Sequence, residues 1–304
     1  MELTATELRS KEDLKTLSNI CEPLVLFFPN LNYFLDYSEI LNGGSRHFSF
    51  SDGAQIVLIG ELREGRILCN PKAFINVLYV ANLNMDVKEY MKFILAHLHD
   101  IGIRAIRIRQ TPHFIAKPIR FSLNSDIIER CKTSVIDLSN FKPSSRRNKS
   151  RLKCEKQGFL FQEVDSHQSL ETWSYLESFL ISRNLPSLGF DRIDFLLRNY
   201  RDAFKLVRVI DPEGNLVAAA LLNRIGDAIR IPNYCGSRDA SGATDFLIFG
   251  VTDMAYENNI QFVDLGISVD PISGIEVAGI VNYKSEFSAV RFSIQDEIVN
   301  LINH

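Results

Sequence analysis

One connector in this sequence, residues 236–244, has the residue types and the position that anion binding requires. It runs from Gly236 through Ser237 and Arg238, and it lies between a predicted strand and the start of a predicted helix. Unpaired backbone N–H groups and the helix dipole favour negative charge at a helix N-terminus, and a guanidinium can bind a phosphate through two hydrogen bonds. The connector therefore predicts a phosphate-bearing ligand. The alternative is a plain β-to-α turn with a solvated arginine.

The basic segment, Lys142–Lys156, is a second candidate site. Its seven Lys or Arg side chains stand against one carboxylate, so its local charge is +6 and the rest of the chain carries −9. It lacks the aromatic residues that stack on bases in single-strand-binding surfaces. We interpret it either as a site for the phosphates of a nucleotide-linked substrate or of RNA, or as a solvated helix face.

The same segment predicts a helix. Ser144 or Ser145 can cap its start, and Gly158 can end it. Leu152 is its only large apolar residue. Because packing of an apolar face usually stabilises a helix, packing alone does not explain this one.

The elements that must position the connector lie on either side of it. Strand-like runs separated by tight turns predict an antiparallel meander over residues 204–210, 215–224 and 228–234. A helical pattern follows, with Thr244 placed to cap its start, and residues 261–265 form a further strand-like run. This order predicts a mixed α/β unit whose crevice lies beyond the strand ends.

The same order of elements occurs in the first half of the chain. After a helical pattern that includes Leu8, Leu14 and Leu17, strand-like runs cover residues 47–50, 55–62, 66–69 and 74–80. A helix is predicted over residues 87–98, and a strand over 105–109. We interpret the repeat as an internal duplication of pattern.

The duplication predicts an α/β protein with two tandem domains. Residues 1–133, which 292–304 can complete, form the first domain, and residues 134–291 form the second. Two such units packed together would leave a cleft between them, a common place for a ligand site.

Composition narrows the class of protein. The chain has 304 residues, 46% of them hydrophobic, which is enough for two domains with their own cores. A net charge of −3 argues against a protein that coats nucleic acid. Five cysteines, odd in number and widely spaced, argue for a reduced compartment and against a disulfide framework or a structural zinc.

We expect a cytoplasmic protein with no transmembrane segment and no metal. The N-terminal residues are charged and polar, which is not typical of a signal peptide. No apolar run approaches the roughly 20 residues that span a bilayer. The six histidines form no metal-binding pattern.

Two short motifs end the second repeat. Asp264-Leu265-Gly266 ends the last predicted strand, and Tyr283-Lys284-Ser285-Glu286-Phe287 follows a glycine-containing loop. They resemble the D-x-G and F-K-x-x-F-G motifs of the Fem/MurM-type acyltransferases, the double-GNAT group. Tyr283 stands for the first Phe of the second motif, and Ser288 stands for its final Gly.

The basic segment also resembles the R-R…K-x-G stretch that opens the second GNAT unit of that family. Arg146-Arg147 matches its start, and Lys156-Gln157-Gly158 matches its end. The long charged helical hairpin of some members has no counterpart here. The pyrophosphate motif of single-domain GNAT proteins, Q/R-x-x-G-x-G/A, is not met, since Ser241 holds its first glycine position when counted from Arg238.

The resemblance implies two tandem GNAT-like domains and transfer of an acyl group to an amine. In the family the donor is often an aminoacyl-tRNA and the acceptor often a peptidoglycan precursor, and relatives use acyl-CoA. The implied co-substrate is therefore acyl-CoA or aminoacyl-tRNA, with no permanently bound cofactor. The implied partners are a small-molecule or nucleotide-linked amine acceptor and, where the donor is tRNA, that RNA.

Acyl transfer to a neutral amine needs donors for the oxyanion and aligned reactants, but no covalent nucleophile. The candidate catalytic residues are Lys284 for a phosphate or the oxyanion, Tyr234 for proton transfer, and Asp264 as a base or an orienting group. A surface lysine, a packed tyrosine and a turn-capping aspartate are the alternatives. Candidate substrate or phosphate contacts share positions near these motifs: Arg238, Ser237, Gly236, Arg146, Arg147 and Tyr283.

Three functions compete at this point. The first is a Fem-like N-acyltransferase. The second is an acyl-CoA-dependent N-acyltransferase of a sugar or natural-product pathway. The third, of another class, is a non-catalytic module that binds RNA or another polyanion through Lys142–Lys156.

Overall fold

A computed structural model of the chain describes residues 4–8, 46–51, 56–63, 66–69, 95–97, 99–100, 102, 105–109, 126–185, 187–270 and 273–300. The chain divides into two compact units, Met1–Cys131 with Ser293–His304, and Lys132–Phe292. The predicted domains cover residues 1–133 and 134–291, and these boundaries stay a prediction. No helix of the described part is long and apolar enough to cross a membrane.

The strands of the first unit follow the chain closely. They are β1 (Thr4–Leu8), β2 (Arg46–Ser51), β3 (Ile56–Arg63), β4 (Arg66–Cys69) and β5 (Ala105–Arg109). β1 to β4 pair as consecutive antiparallel neighbours, and β5 pairs in parallel with β4. The meander and the strand predicted for this half are therefore confirmed over these residues.

Of the other predictions for the first half, one is wrong, one is confirmed over a few residues, and the rest lie outside the described residues. Leu8 lies in β1, which pairs with β2, so a helix there is wrong because the segment forms a sheet edge instead. Residues 95–97 of the predicted helix are helical. The run 74–80 and residues 87–94 lie outside the described residues.

The second unit holds the remaining elements. Its strands are β6 (Asp126–Asp137), β7 (Leu160–Glu163), β8 (Phe204–Ile210), β9 (Leu216–Ile225), β10 (Ala228–Gly236) and β11 (Phe262–Ile267), with β12 (Val290–Asn300) running on into the first unit. Its helices are α1 (Ser145–Gln157), α2 (Ser169–Ser182), α3 (Phe190–Asn199), α4 (Ala243–Glu257) and α5 (Ala278–Ser285).

The sheet of the second unit has the strand order β6-β11-β10-β9-β8-β7. All neighbours are antiparallel except β10 and β11, which are parallel. Residues 217–223 of β9 are all buried, because α2 covers one face of the sheet and α4 the other. The predicted meander, helix and parallel strand are confirmed, and the fold class is mixed α/β as predicted.

Helix caps follow the sequence at α1 but not at α4. Ser144 accepts a hydrogen bond from the Arg147 N–H and Gly158 ends α1 in the left-handed region, as predicted. Thr244 does not cap α4; it is the second residue of that helix, and Gly242 (φ 96°) is its N-cap. The Thr244 hydroxyl instead lies against Gly236, where an added Cβ would come within 2.1 Å of its oxygen.

Gly250 provides a test of how α4 packs on β7. A Cβ at this position would lie 2.2 Å from Cδ2 and 2.4 Å from Cγ of Phe161. Because such overlap forces the ring or the helix to move, Gly250→Ala is expected to lower the free energy of unfolding by about 1–3 kcal/mol, measured by urea unfolding.

Gly279→Ala is the matched control, since a Cβ at Gly279 in α5 would meet no atom within 4 Å. There the more restricted unfolded chain should raise the free energy of unfolding by about 0.5–1 kcal/mol. Equal shifts in the two variants would contradict the packing of Phe161 on Gly250.

Candidate functional site

The strands β10 and β11 part in the middle of the sheet. They pair from Ala228 opposite Phe262 to Arg230 opposite Asp264, and no further. Beyond that point β10 stays bonded to β9, and β11 stays bonded to β6. The ladder between the two strands therefore ends here, and we call the region between their carboxyl ends the strand gap.

Irregularities on both sides shape the strand gap. The register of β10 against β9 shifts between Arg230 and Asn233, a stretch that contains Pro232, which has no N–H. The register of β11 against β6 shifts between Asp264 and Ile267. Bulges of this kind redirect strands, and the backbone edges they separate can pair with an extended ligand.

The connector lies at the end of β10, beside the strand gap. The Ser237 N–H donates to the Val217 carbonyl, and its hydroxyl accepts from the Asp239 N–H. Arg238 is exposed and forms no ion pair with a residue of the described ranges. No side chain caps α4 through a hydrogen bond, and the buried Asp245 lies in its first turn.

Lys284 is buried, with 1% of its surface exposed. Its ammonium lies 2.9 Å from the carbonyl oxygen of Gly266 and 2.8 Å from that of Ile267, and it donates to both. Burial lowers the pKa of Lys284 to about 8, although Asp264 nearby favours the charged form. The sequence predicted a phosphate or oxyanion contact; the structure places the amine on backbone carbonyls.

The carboxylate of Asp264 also contacts neighbouring groups. Its Oδ1 accepts a hydrogen bond from the Gly266 N–H at 2.8 Å and another from the Thr133 hydroxyl. Its Oδ2 lies 3.5 Å from Nε of Arg230. The structure thus brings Asp264 and Lys284 together around Gly266, with the carboxylate oxygens occupied by neighbours.

Arg147 lies in a second buried cluster, which links α1, α4 and α5. Its Nη1 lies 3.0 and 2.9 Å from the two carboxylate oxygens of Asp245, and its Nε lies 2.8 Å from Glu286. Its guanidinium stacks 4.3 Å from the ring centre of Tyr283, whose hydroxyl donates to Asp245. Burial and the Asp245 carboxylate raise the pKa of Tyr283. We call these four residues the arginine cluster.

Arg146, which precedes Arg147 on α1, is in a different environment. Arg146 is exposed, and its only ion pair within the described part is with Glu286, at 3.7 Å. The two arginines that match one motif thus differ in burial but share Glu286 as a partner, and their role as phosphate contacts stays a prediction. Arg151 is also used internally, because it pairs with Glu155 and Asp253 and stacks on Phe249.

Tyr234 lies on β10 beyond the point where the strands part. It is partly buried, and its hydroxyl forms no hydrogen bond with a described residue. Burial raises the pKa of Tyr234, so the phenol stays neutral at physiological pH. In that form it can donate a hydrogen bond but cannot act as a strong base.

Sequence reasoning missed several members of these clusters. Asp245, Thr133 and Arg230 were not singled out, and α5 was not predicted as a helix. A signal for Asp245 was present, since it is an acidic residue in the first turn of a helix whose next residues, Phe246 to Phe249, are all apolar. Neither Thr133 nor Arg230 stands out without the register of the sheet.

The fold of the chain also occurs in solved structures of other proteins. No family model matches the chain, and no curated protein matches it in sequence. FemX superposes with a TM-score of 0.62 at 12% identity, covering 98% of this chain and 97% of that chain. The chain has the fold of FemX. The predicted tandem GNAT-like fold class is thereby confirmed.

Two further solved structures share this fold. The C-terminal domain provisionally assigned to a lysylphosphatidylglycerol synthetase from Agrobacterium fabrum has a TM-score of 0.59 at 13% identity, covering 95% of this chain and 92% of that chain. A tandem GNAT protein from the clavulanic acid biosynthesis pathway has a TM-score of 0.50 at 10% identity, covering 99% of each chain. At these identities the likeness is one of fold.

Proposed function

We propose that the chain is an N-acyltransferase whose second unit holds the acyl donor in the strand gap. The observation that supports this most is the parting of β10 and β11 beyond Arg230 and Asp264. Backbone groups along such an opening can bond an extended, amide-containing donor in the way that a strand bonds its neighbour. The ligand would lie beyond the strand ends, as in other open α/β sheets.

The connector supplies the polar end of this site. Arg238 is exposed beside the uncapped first turn of α4, and Gly236 and Ser237 bring the backbone close to it. We assign these three residues to a phosphate of the donor. Both candidate donors, an acyl-CoA and an aminoacyl-tRNA, carry phosphates.

Tyr234 is the residue we assign to proton transfer. It lies along the strand gap and stays neutral because burial raises its pKa. A neutral phenol can donate a hydrogen bond to the oxyanion, or it can give its proton to the leaving group as the bond from the acyl carbon to that group breaks. The amine attacks the acyl carbon directly, and the proton that it releases returns to the phenolate, which restores the phenol. No acyl-enzyme intermediate is needed in this scheme.

The acceptor we propose is a small-molecule or nucleotide-linked amine. The Fem resemblance suggests a peptidoglycan precursor, and the name of the lysylphosphatidylglycerol synthetase indicates aminoacyl transfer on this fold. The clavulanic acid protein suggests a small-molecule acceptor instead. Each is a proposal for this chain.

A thermal-shift series tests the proposal. Acetyl-CoA, longer acyl-CoAs, bulk aminoacyl-tRNA and UDP-linked sugars are compared, and a bound donor should raise the melting temperature by mass action. The stabilising donor is then titrated into the wild type and into Arg238→Ala. It should bind the variant about tenfold more weakly than the wild type, because a charge-assisted phosphate contact is worth roughly 1.5–3 kcal/mol.

Arg192→Ala is the control, since Arg192 is an exposed arginine on α3. It should leave donor affinity unchanged. The absence of any stabilising donor, or equal losses in the two variants, would count against the proposed site.

One observation favours a second candidate function. Five basic residues of the segment stay exposed: Lys142, Arg146, Lys149, Lys153 and Lys156. A polyanion-binding module would use this face without any acyl chemistry. Stabilisation by uncharged tRNA as large as that by aminoacyl-tRNA, with strong salt dependence and no turnover, would favour it.

A further inference from the structure

β11 has an irregular end, where its register against β6 shifts. From Asp264 to Ile267 it spans one residue more than β6, which runs from Val135 to Thr133 over the same stretch. The extra residue marks a β-bulge, and Gly266 there has a φ of 76°, in the left-handed region that glycine adopts most easily. On its other side the strand has no ladder pairing with β10 beyond Asp264, although a Cβ at Gly266 would lie 3.4 Å from the Ile231 carbonyl oxygen of β10.

Two side chains bond the peptide groups of this bulge. The Gly266 N–H donates to Asp264, and the Gly266 carbonyl accepts from Lys284. The Ile267 carbonyl is the second acceptor for the same amine. A buried carbonyl left without a donor costs about 1–3 kcal/mol, so these bonds matter to the shape of the strand end.

The position of Lys284 excludes an external ligand for its amine in this conformation. Only 1% of the residue is exposed, and two of its N–H groups are used by carbonyls. Deprotonation would not break these contacts, since a neutral amine still has two N–H groups. Asp264 is likewise buried; its Oδ1 accepts two hydrogen bonds, and its Oδ2 lies 3.5 Å from Nε of Arg230.

We propose that Lys284 and Asp264 are positioning residues that fix the bulge at Gly266 and so end the pairing of β11 with β10 at Asp264. The motif lysine then acts through the backbone at the strand gap and does not contact phosphate or the reacting atoms. We call the two hydrogen bonds from Lys284 to the carbonyls of Gly266 and Ile267 the clamp. The importance of the bulge for donor binding rests on the proposed function, but the clamp does not.

Chemical modification tests the clamp without any donor. The native protein is treated with acetic anhydride at pH 8, and the acetylation rate of each lysine is followed by mass spectrometry. Lys284 should react on the order of 100-fold more slowly than the exposed Lys153, because it must await local opening. A rate for Lys284 equal to that for Lys153 would overturn the proposal.

Hydrogen exchange provides the second measurement. Lys284→Met keeps the length of the side chain but removes both N–H donors, so the amides of residues 265–268 should exchange about tenfold faster. Lys153→Met should leave them unchanged. Asp264→Asn, which keeps an acceptor oxygen for Gly266, is the milder variant and should raise exchange less.

Donor binding separates a clamp from a phosphate contact. A clamp predicts that Lys284→Arg fails to restore affinity, since the larger planar guanidinium does not fit the buried position. A phosphate contact predicts restoration by Arg and a weaker salt dependence in Lys284→Met. If no donor binds while acetylation and exchange behave as expected, the proposed function fails and the clamp stands.

Discussion

Replacing Arg147 by methionine is expected to lower the free energy of unfolding by about 3–5 kcal/mol. The substitution leaves the Asp245 carboxylate buried without its bidentate partner, and it removes the stacking on Tyr283. The cost of an unpaired buried charge exceeds the loss of the attraction itself. Urea unfolding followed by the fluorescence of Trp173, the single tryptophan of the chain and a core residue of the second unit, measures the effect.

Arg146→Met is the matched control, because Arg146 is the exposed neighbour of Arg147 on the same helix. Its effect should stay within about 0.5 kcal/mol. The double variant Arg147→Met with Asp245→Leu should regain a large part of the lost stability, since a buried ion pair can often be replaced by apolar groups. Similar values for Arg146→Met and Arg147→Met would contradict the role of the arginine cluster.

A second large effect is expected from pH. The pKa of Lys284 is lowered by burial from 10.5 to about 8, with Asp264 and Arg230 as the charged neighbours that modify it. Between those two pH values the unfolded chain binds more protons at this residue than the folded chain. The free energy of unfolding therefore rises with pH in this window, by up to about 3 kcal/mol from this group.

The measurement is the difference in unfolding free energy between the wild type and Lys284→Met from pH 7 to pH 11. Other groups titrate in the same range in both proteins, and the difference isolates Lys284. Relative to the variant, the wild type should gain stability above pH 8 and reach a plateau above pH 10.5. A difference that does not change with pH would contradict the lowered pKa of the buried Lys284 amine.

Much of the second unit could be predicted from local patterns. The meander has tight turns between its strand-like runs, α1 has cap signals at Ser144 and Gly158, and α4 has apolar periodicity, and all of these act over short distances. The short helix α5 was not predicted from the sequence, because it has only eight residues, including Gly279, and its apolar residues do not favour one face. Its stability comes from tertiary contacts such as those of Lys284 and Tyr283.

The site was harder to predict than the fold. All seven basic residues of Lys142–Lys156 look alike in the sequence, yet Arg147 is buried while Arg146 is exposed. The difference arises because the helix turns Arg147 toward Asp245, a residue 98 positions away. Similarly, the role of Lys284 depends on the bulge at Gly266, which only the sheet register reveals.

The connectivity of the two units has a consequence for the order of folding. The first unit needs both ends of the chain, since β5 pairs with residues 296–300 of β12. The second unit is one continuous stretch, Lys132–Phe292. The second unit can therefore fold without the last strand of the first unit, whereas domains usually fold from the N-terminus onward. A chain truncated after residue 292 should show a folded second unit and an incomplete first one.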